Sequence, residues 1–172
     1  MQGQVNVREV LQQALQALNS EEDKIAYFDL HDDSLITHGI PEKFPADKEG
    51  MKEYYREVWR AFPNAKYEFE HVIVDGNEAA CMFSITGVQK GDLMGIPPTD
   101  KQVRISGMIF FRFKDSKIAE RWEIIDLLST AKQLGVRQQF SAVKNAILEY
   151  GEVQANVQLK DKINGLFKKH LV

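Results

Sequence analysis

The spacing of apolar residues changes once along the chain, near Pro63, and this change restricts the folds that the chain can adopt. Before it, apolar residues recur at helical spacing, most clearly over residues 7–18 and 51–62. From Lys66 to Asp126 they alternate with polar residues, as they do in half-buried strands. Helices followed by a run of strands predict an α+β fold with an antiparallel sheet, and they exclude a parallel sheet of βαβ units.

Four strands are predicted in the alternating region, joined by two tight turns and by one loop over residues 91–101. The strand over residues 103–113 has one apolar face, while Arg104 and Arg112 lie on the opposite face. Because successive side chains of a strand point to opposite sides, the apolar face is predicted to turn inward. The predicted inward residues are Ile105, Ile109 and Phe111.

The composition is that of an ordinary globular protein, with 172 residues of which 44% are hydrophobic and 27% are charged. We predict one α+β domain over residues 1–135 and a helical extension over residues 136–172 that packs on it. The net charge of −3 gives no general attraction to nucleic acid or to an anionic membrane. Residues 1–20 lack the pattern of a signal peptide, and no apolar run reaches the ~20 residues of a membrane span, so we expect a cytoplasmic protein.

The last predicted strand, residues 118–126, carries a candidate catalytic carboxylate. Alternation places Trp122, Ile124 and Asp126 on the same face of this strand. A carboxylate beside Trp and Ile would be partly desolvated, which favours its protonated form and suits a general base. The alternative is that Asp126 caps the helix that follows, because Asp is a preferred N-cap residue. Residue types alone favour the cap, and the spacing fits both roles.

Three other features of the sequence favour structural roles. The His and Asp residues at 31–33 and His38 could ligate a metal, but such a loop cluster is usually solvated, so no metal site is predicted. The glycines between residues 87 and 95 are not followed by the Gly-Lys-Ser/Thr of a phosphate loop, so no nucleotide is predicted. The only cysteine, Cys81, is predicted to pack inside a strand.

Four short segments, taken together, point to a known family. They are Gly87–Thr99, Phe111–Asp115, Lys117–Asp126 and Gln133–Gly135. Their order and spacing resemble those of the SnoaL-like polyketide cyclases, or ester cyclases, over residues 25–135. The resemblance implies the nuclear transport factor 2-like fold, in which a curved antiparallel sheet wrapped by N-terminal helices forms a cone around an interior pocket.

The resemblance also implies roles for individual residues. Asp126 matches the acid/base that closes a ring by an intramolecular aldol reaction, and His38 matches a polar residue of the pocket. The ligand would be a small, apolar, carbonyl-bearing molecule, and neither a metal nor an organic cofactor is implied. The helical stripe around Tyr55 is predicted to be mostly core, with one or two residues lining the cavity. The predicted substrate-binding residues are Trp122, Trp59, Tyr55, Gln89, Ile105, Ile109 and Phe111.

Of the positions that depart from the pattern of the family, two would remove ionisable groups from or near the pocket. Gln89 stands where the ester-cyclase branch commonly has His, and Met82 stands where Arg is frequent. A Gln side chain forms hydrogen bonds but does not exchange a proton near neutral pH. These departures keep two alternatives to an enzyme open. One is a non-catalytic carrier of a small apolar ligand, and the other is an interaction module whose pocket is filled.

A homodimer that forms through the sheet is also predicted. Met108 and Phe110 fall on the strand face opposite the pocket, so this face needs cover. A twofold dimer would cover it, and twofold dimers are the commonest oligomers. The alternative cover is the helical extension of the same chain.

Overall fold

The computed structural model describes residues 6–135, which form four helices and five strands. In chain order these are α1 (Val7–Leu18), α2 (Ala26–Asp29), β1 (His31–His38), α3 (Lys48–Ala61), β2 (Lys66–Asp75), β3 (Glu78–Val88), β4 (Gln102–Lys114), β5 (Lys117–Ile125) and α4 (Leu127–Leu134). They belong to one compact unit that ends at Leu134. The extension predicted over residues 136–172 lies outside the described residues.

One five-stranded curved sheet, with strand order β1-β5-β4-β3-β2, confirms the predicted α+β class. The sheet is mixed, however, because β1 pairs with β5 in parallel, whereas the other three pairings are antiparallel. The strand β1 is not among the four strands predicted from the sequence, where residues 31–33 are assigned to a loop cluster. Its residues His31 to Ser34 are polar in the sequence and show no alternation, so only the pairing with β5 makes this segment a strand.

The helix α3 forms where its apolar stripe predicts it, and Asp47 caps its first turn. The Asp47 side chain accepts a hydrogen bond from the Gly50 backbone N–H at 2.9 Å, which satisfies one of the free amides of the first turn. One face of the helix is buried, and Pro63 follows its end. The buried residues of this face include Met51, Tyr54, Tyr55, Val58 and Ala61.

The strand β4 has the orientation that its alternation predicts. Ile105, Ile109 and Phe111 are buried on the inner face of the sheet, and Phe111 has no exposed surface. Arg104 and Arg112 are exposed on the outer face. The prediction for these positions is therefore confirmed.

A β-bulge in β5 reverses the predicted orientation of the residues after it. Arg112 pairs with Glu120 but Phe113 pairs with Ile118, so β5 has one extra residue, Ala119, at this point. One extra residue moves every later side chain to the other face. Ile118 is buried, but beyond the bulge the inward residues are Arg121 and Glu123.

The helix α4 covers an open edge of the sheet. β5 ends opposite Gly107, so the first residues of β4 have no strand beside them on that side. There the Gln133 side chain accepts a hydrogen bond from the Arg104 backbone N–H at 2.8 Å and donates one to the Arg104 carbonyl at 2.9 Å. One side-chain amide thus makes both hydrogen bonds that a neighbouring strand would make.

Candidate functional site

A cluster of polar side chains lies buried between the inner face of the sheet and the helices. Arg121 and Glu123 come from β5, Tyr27 comes from α2 and Tyr55 comes from α3. Arg121 Nη2 donates one hydrogen bond to Glu123 Oε2 at 2.7 Å and a second to the Tyr55 hydroxyl at 3.1 Å. Arg121 Nη1 donates to the Tyr27 hydroxyl at 3.2 Å and contacts Met51 Sδ at 3.1 Å. Arg121 therefore joins the carboxylate to both phenols.

Glu123 is the carboxylate of this interior cluster. Burial raises the pKa of Glu123, and the Arg121 guanidinium opposes this increase only in part. Its second oxygen, Oε1, has no hydrogen-bond partner within residues 6–135, and 5% of the side chain stays accessible. Glu123 thus combines a raised pKa with one uncommitted oxygen, which are two properties of a general acid or base.

The two phenols supply a hydrogen-bond donor. The hydroxyls of Tyr27 and Tyr55 lie 3.2 Å apart, and each accepts a hydrogen from Arg121. Burial raises the pKa of both phenols, so both keep their protons near neutral pH. One of the two protons lies between the two oxygens. The other has no acceptor among the described residues, so it can be donated to an oxygen of a ligand.

His31 supports Tyr27 as a neutral imidazole. Its Nδ1 lies 3.0 Å from the Tyr27 carbonyl, and because a carbonyl only accepts, Nδ1 carries the proton. Burial, together with the nearby charge of Arg121, lowers the pKa of His31 well below its usual value. The His31 ring also packs edge-on against the Tyr27 ring, with 4.8 Å between the ring centres. His31 is therefore placed to orient the phenol.

The predicted substrate-binding residues are divided between the interior and the rest of the molecule. Tyr55 and Trp59 lie on the inner side of α3, with 5.9 Å between their ring centres. Ile105, Ile109 and Phe111 lie on the inner face of the sheet, as predicted. Ile109 and Phe111 pair on the neighbouring strand with the two charged residues of the polar cluster, so both lie beside it.

Asp126 does not have the interior position that alternation predicts for it. It is exposed, and its side chain accepts a hydrogen bond from the Ser129 backbone N–H at 2.9 Å, as an N-cap of α4 does. The predicted face is wrong because of the bulge at Ala119, which also turns Ile124 outward with 75% exposure. The position of Asp126 matches the cap alternative, and its catalytic role stays a prediction.

His38 and Trp122 also lie outside the interior. The two rings stack with 5.0 Å between their centres, on the outer side of the paired strands β1 and β5. His38 Nε2 lies 3.0 Å from Glu120 Oε1, and the Arg112 guanidinium lies over the Trp122 ring. The predicted interior positions are therefore wrong. The bulge at Ala119 turns Trp122 outward, and His38, which pairs with Trp122 on the neighbouring strand, lies on the same outer side.

Gln89 is buried but has no free group for a ligand. Its Nε2 donates to backbone carbonyls of the loop after β3, and its Oε1 accepts from the Thr99 hydroxyl at 2.7 Å. The carbonyls that it contacts are those of Gly91, Ile96 and Pro97. Gln89 thus holds the loop together, which differs from the substrate contact predicted for it.

Arg121, Glu123 and Tyr27 are the residues of the cluster that the sequence analysis did not identify as candidates. One signal in the sequence could have indicated Arg121 and Glu123. Arg121 and Glu123 have opposite charges two residues apart on a strand, so they share a face and can neutralise each other there. Opposite charges on an inward face need such pairing, because an isolated buried charge is costly.

Within residues 6–135, no group of three or more His, Cys, Asp or Glu side chains is arranged to hold a metal ion. No helix in this range is long and apolar enough to cross a membrane.

Comparisons with known proteins agree with the fold. Solved structures similar to this chain include AclR, a candidate hydroxylase from Streptomyces galilaeus, at 20% identity and a TM-score of 0.67 over 74% of this chain and 94% of that one. IdmH, a candidate polyketide cyclase from Streptomyces antibioticus, is 23% identical with a TM-score of 0.64 over 74% and 97% of the two chains. A candidate polyketide cyclase from Acidithiobacillus ferrooxidans is 26% identical with a TM-score of 0.62 over 74% and 92%.

No curated protein matches the sequence. The family model of the SnoaL-like polyketide cyclases, however, matches residues 9–134, which include every strand and helix described above except the first residues of α1. The segments that suggested this family in the sequence lie within or beside the matched range. The chain therefore belongs to the SnoaL-like polyketide cyclase family.

Proposed function

We propose that the protein is a cofactor-independent enzyme that moves a proton on a small, apolar, carbonyl-bearing molecule, with Glu123 as the acid/base. In this proposal Glu123 Oε1 removes a proton from the carbon next to the carbonyl group. The free phenol proton of the Tyr27–Tyr55 pair donates a hydrogen bond to the oxygen on which negative charge develops. Arg121, which binds all three groups, holds them in place.

The observation that carries this proposal is the uncommitted oxygen of Glu123. A buried carboxylate with a raised pKa lies within one hydrogen-bonded network with a free phenol proton. The surrounding side chains are apolar or aromatic, which suits a ligand of the same character. Enolisation, aldol-type ring closure and isomerisation begin with removal of this proton, and in a hydrolysis the same carboxylate would instead take a proton from the attacking water. A metal or organic cofactor is not required for these steps.

The similar proteins are described as cyclases or as a hydroxylase. A cyclase that closes a ring by an aldol reaction needs proton removal beside a carbonyl, which is the step assigned here to Glu123. We extend the cyclase description to this chain on that ground, as part of the proposal. The alternative, a carrier of a small apolar ligand, would bind the same class of molecule without proton exchange.

Deuterium exchange separates the enzyme from the carrier without knowledge of the natural substrate. The probes are a panel of polyketide-like and terpenoid ketones in D₂O, and NMR measures deuterium at the carbon beside the carbonyl. The wild type should accelerate exchange for at least one ketone. Glu123→Gln keeps the shape and should reduce this rate by about 10²–10⁴-fold, the usual contribution of a general acid/base, with little change in ketone affinity.

Asp126→Asn is the matched control, because it removes the other candidate carboxylate from an exposed position. If this variant loses exchange and Glu123→Gln retains it, Asp126 is the acid/base and the present assignment is wrong. If a ketone binds and none exchanges faster than in free solution, the carrier function is correct. Thermal unfolding of both variants shows whether each is folded.

A further inference from the structure

Two buried polar groups on neighbouring elements have no hydrogen-bond partner within residues 6–135. They are the indole Nε1 of Trp59, on α3, and the hydroxyl of Tyr67, on β2. Tyr67 is 5% exposed, and the Nε1 atom of Trp59 is buried although the ring is partly exposed. A buried polar group without a partner destabilises a protein, so such groups are uncommon and call for a physical reason.

Trp59 and Tyr67 lie close to each other. Burial raises the pKa of the Tyr67 phenol, and the nearby N–H of Trp59 opposes this increase in part. The two groups nevertheless do not have the geometry of a hydrogen bond, so both can bind a third group. An indole N–H only donates, whereas a phenol hydroxyl donates and accepts. An oxygen atom of a ligand, which can accept from both, is therefore the group that fits this pair.

The pair lies next to the polar cluster, at the following turn of α3. Trp59 comes four residues after Tyr55, which is about 6 Å along a helix, and the two ring centres are 5.9 Å apart. The charge of Glu123 adds to the effect of burial on the pKa of Tyr67, so the phenol lies within electrostatic range of the cluster. On the sheet, Tyr67 pairs with Ile85, which is also buried. The interior thus has two polar places about one helical turn apart.

We propose that Trp59 and Tyr67 bind a second oxygen atom of the ligand, so that the preferred ligand is a ketone with a hydroxyl or second carbonyl group on its far side. This inference rests on the proposed function, because it takes the reacting carbonyl to lie at the Tyr27–Tyr55 pair. The second group is neutral, since another buried anion in range of Glu123 would be costly. We call Trp59 and Tyr67 the second oxygen site.

Three bicyclic ketones that differ in one hydroxyl group test the second oxygen site. In 5-hydroxy-1-tetralone the hydroxyl lies on the opposite edge of the ring system from the carbonyl, in 8-hydroxy-1-tetralone it lies beside the carbonyl and bonds to it, and 1-tetralone has none. Titrations followed by NMR measure each Kd. The 5-hydroxy compound should bind the wild type about 10-fold more tightly than the other two, as expected for one or two added hydrogen bonds. Equal affinities, or no binding of any of the three, would overturn the proposal.

Variants assign the preference to these two residues. Tyr67→Phe and Trp59→Phe should each weaken binding of the 5-hydroxy compound towards that of 1-tetralone, and Tyr67→Phe should leave the affinity for 1-tetralone unchanged. Ser84→Ala is the matched control and should keep the preference. Ser84 also carries a buried hydroxyl, but it precedes Ile85 in β3 and therefore faces the other side of the sheet.

Thermal unfolding separates a binding role from a structural role of the Tyr67 hydroxyl. The Tm of ligand-free Tyr67→Phe should not fall, because the hydroxyl that it removes has no partner among residues 6–135. A lower Tm would show that this hydroxyl stabilises the free protein, and it would overturn the proposal.

The readout is affinity, so failure of this proposal can be told apart from failure of the proposed function. If the 5-hydroxy compound is preferred but Glu123→Gln retains deuterium exchange, the catalytic assignment fails and the second oxygen site stands. If Glu123→Gln loses exchange but the 5-hydroxy compound binds no more tightly than 1-tetralone, the second oxygen site alone is wrong.

Discussion

Arg121→Met tests whether the interior cluster is a charged network. Arg121 has no exposed surface and supplies hydrogen bonds to Glu123, Tyr27 and Tyr55. Methionine fills a similar length without charge and leaves the Glu123 carboxylate buried alone. Removing one partner of a buried ion pair costs about 3–5 kcal/mol, so we expect this loss in the free energy of unfolding at about pH 8.

The cost of Arg121→Met should depend on pH in a defined direction. The guanidinium is the group that lowers the pKa of Glu123 against burial, so its removal raises this pKa further. The folded carboxyl then binds its proton more tightly than the unfolded one. Stability consequently falls as pH rises from the ordinary glutamate value through the raised value, by up to about 1.4 kcal/mol per pH unit. The loss of unfolding free energy caused by Arg121→Met should therefore become smaller as the pH is lowered towards about 5.

Urea unfolding at fixed protein concentration, followed by tryptophan fluorescence, measures this cost between about pH 5 and pH 8. Arg112→Met is the matched control, because Arg112 also binds two carboxylates but is 46% exposed. An exposed pair contributes about 0–1 kcal/mol, so its loss should be small. The reasoning is refuted if the two variants lose the same free energy of unfolding at about pH 8. It is also refuted if the loss for Arg121→Met becomes larger as the pH is lowered.

Other variants test single features of the fold. Asp126→Ala should lose about 1 kcal/mol of stability through the lost helix cap, whereas Asp126→Asn should change little in thermal unfolding. Gly39→Ala should strongly destabilise the protein in the same assay, since Gly39 has φ of 86° and an added Cβ would lie 1.9 Å from the Glu123 carbonyl oxygen. Gln89→Leu removes four hydrogen bonds from its loop and should speed amide exchange there, at a cost of about 1–3 kcal/mol. Unchanged exchange in that loop would mean that Gln89 does not hold it.

The features that the sequence predicted well depend on residues close together in the chain. The apolar stripe of α3 recurs within a few helical turns, and the alternation of β4 runs over thirteen residues without a bulge of its own. Such patterns need no knowledge of distant partners. The family resemblance was confirmed as well, since its segments lie on these regular elements or on the turns between them.

The features that the sequence did not predict depend on distant partners. The extra residue at Ala119 exists only relative to β4, and nothing in the strand's own pattern marks it. Because of this extra residue, Trp122 and Asp126 lie on the face opposite to the predicted one. Arg121 and Glu123, which alternation places on the outer face, lie on the inner face. Likewise, β1 is a strand because of its pairing with β5, some eighty residues later in the chain. The candidate site lies where these long-range effects meet, so alternation alone placed Asp126, and not Glu123, on the inner face.

The contact between Gln133 and Arg104 has a consequence for aggregation. An unpaired strand edge is a template on which another chain can add a strand. Here a single side chain occupies both backbone groups of Arg104, so protection of this edge depends on the docking of α4. If α4 detaches, even briefly, the start of β4 becomes available for intermolecular pairing. Under conditions that loosen α4, the protein should therefore aggregate through this edge before the rest of the sheet unfolds.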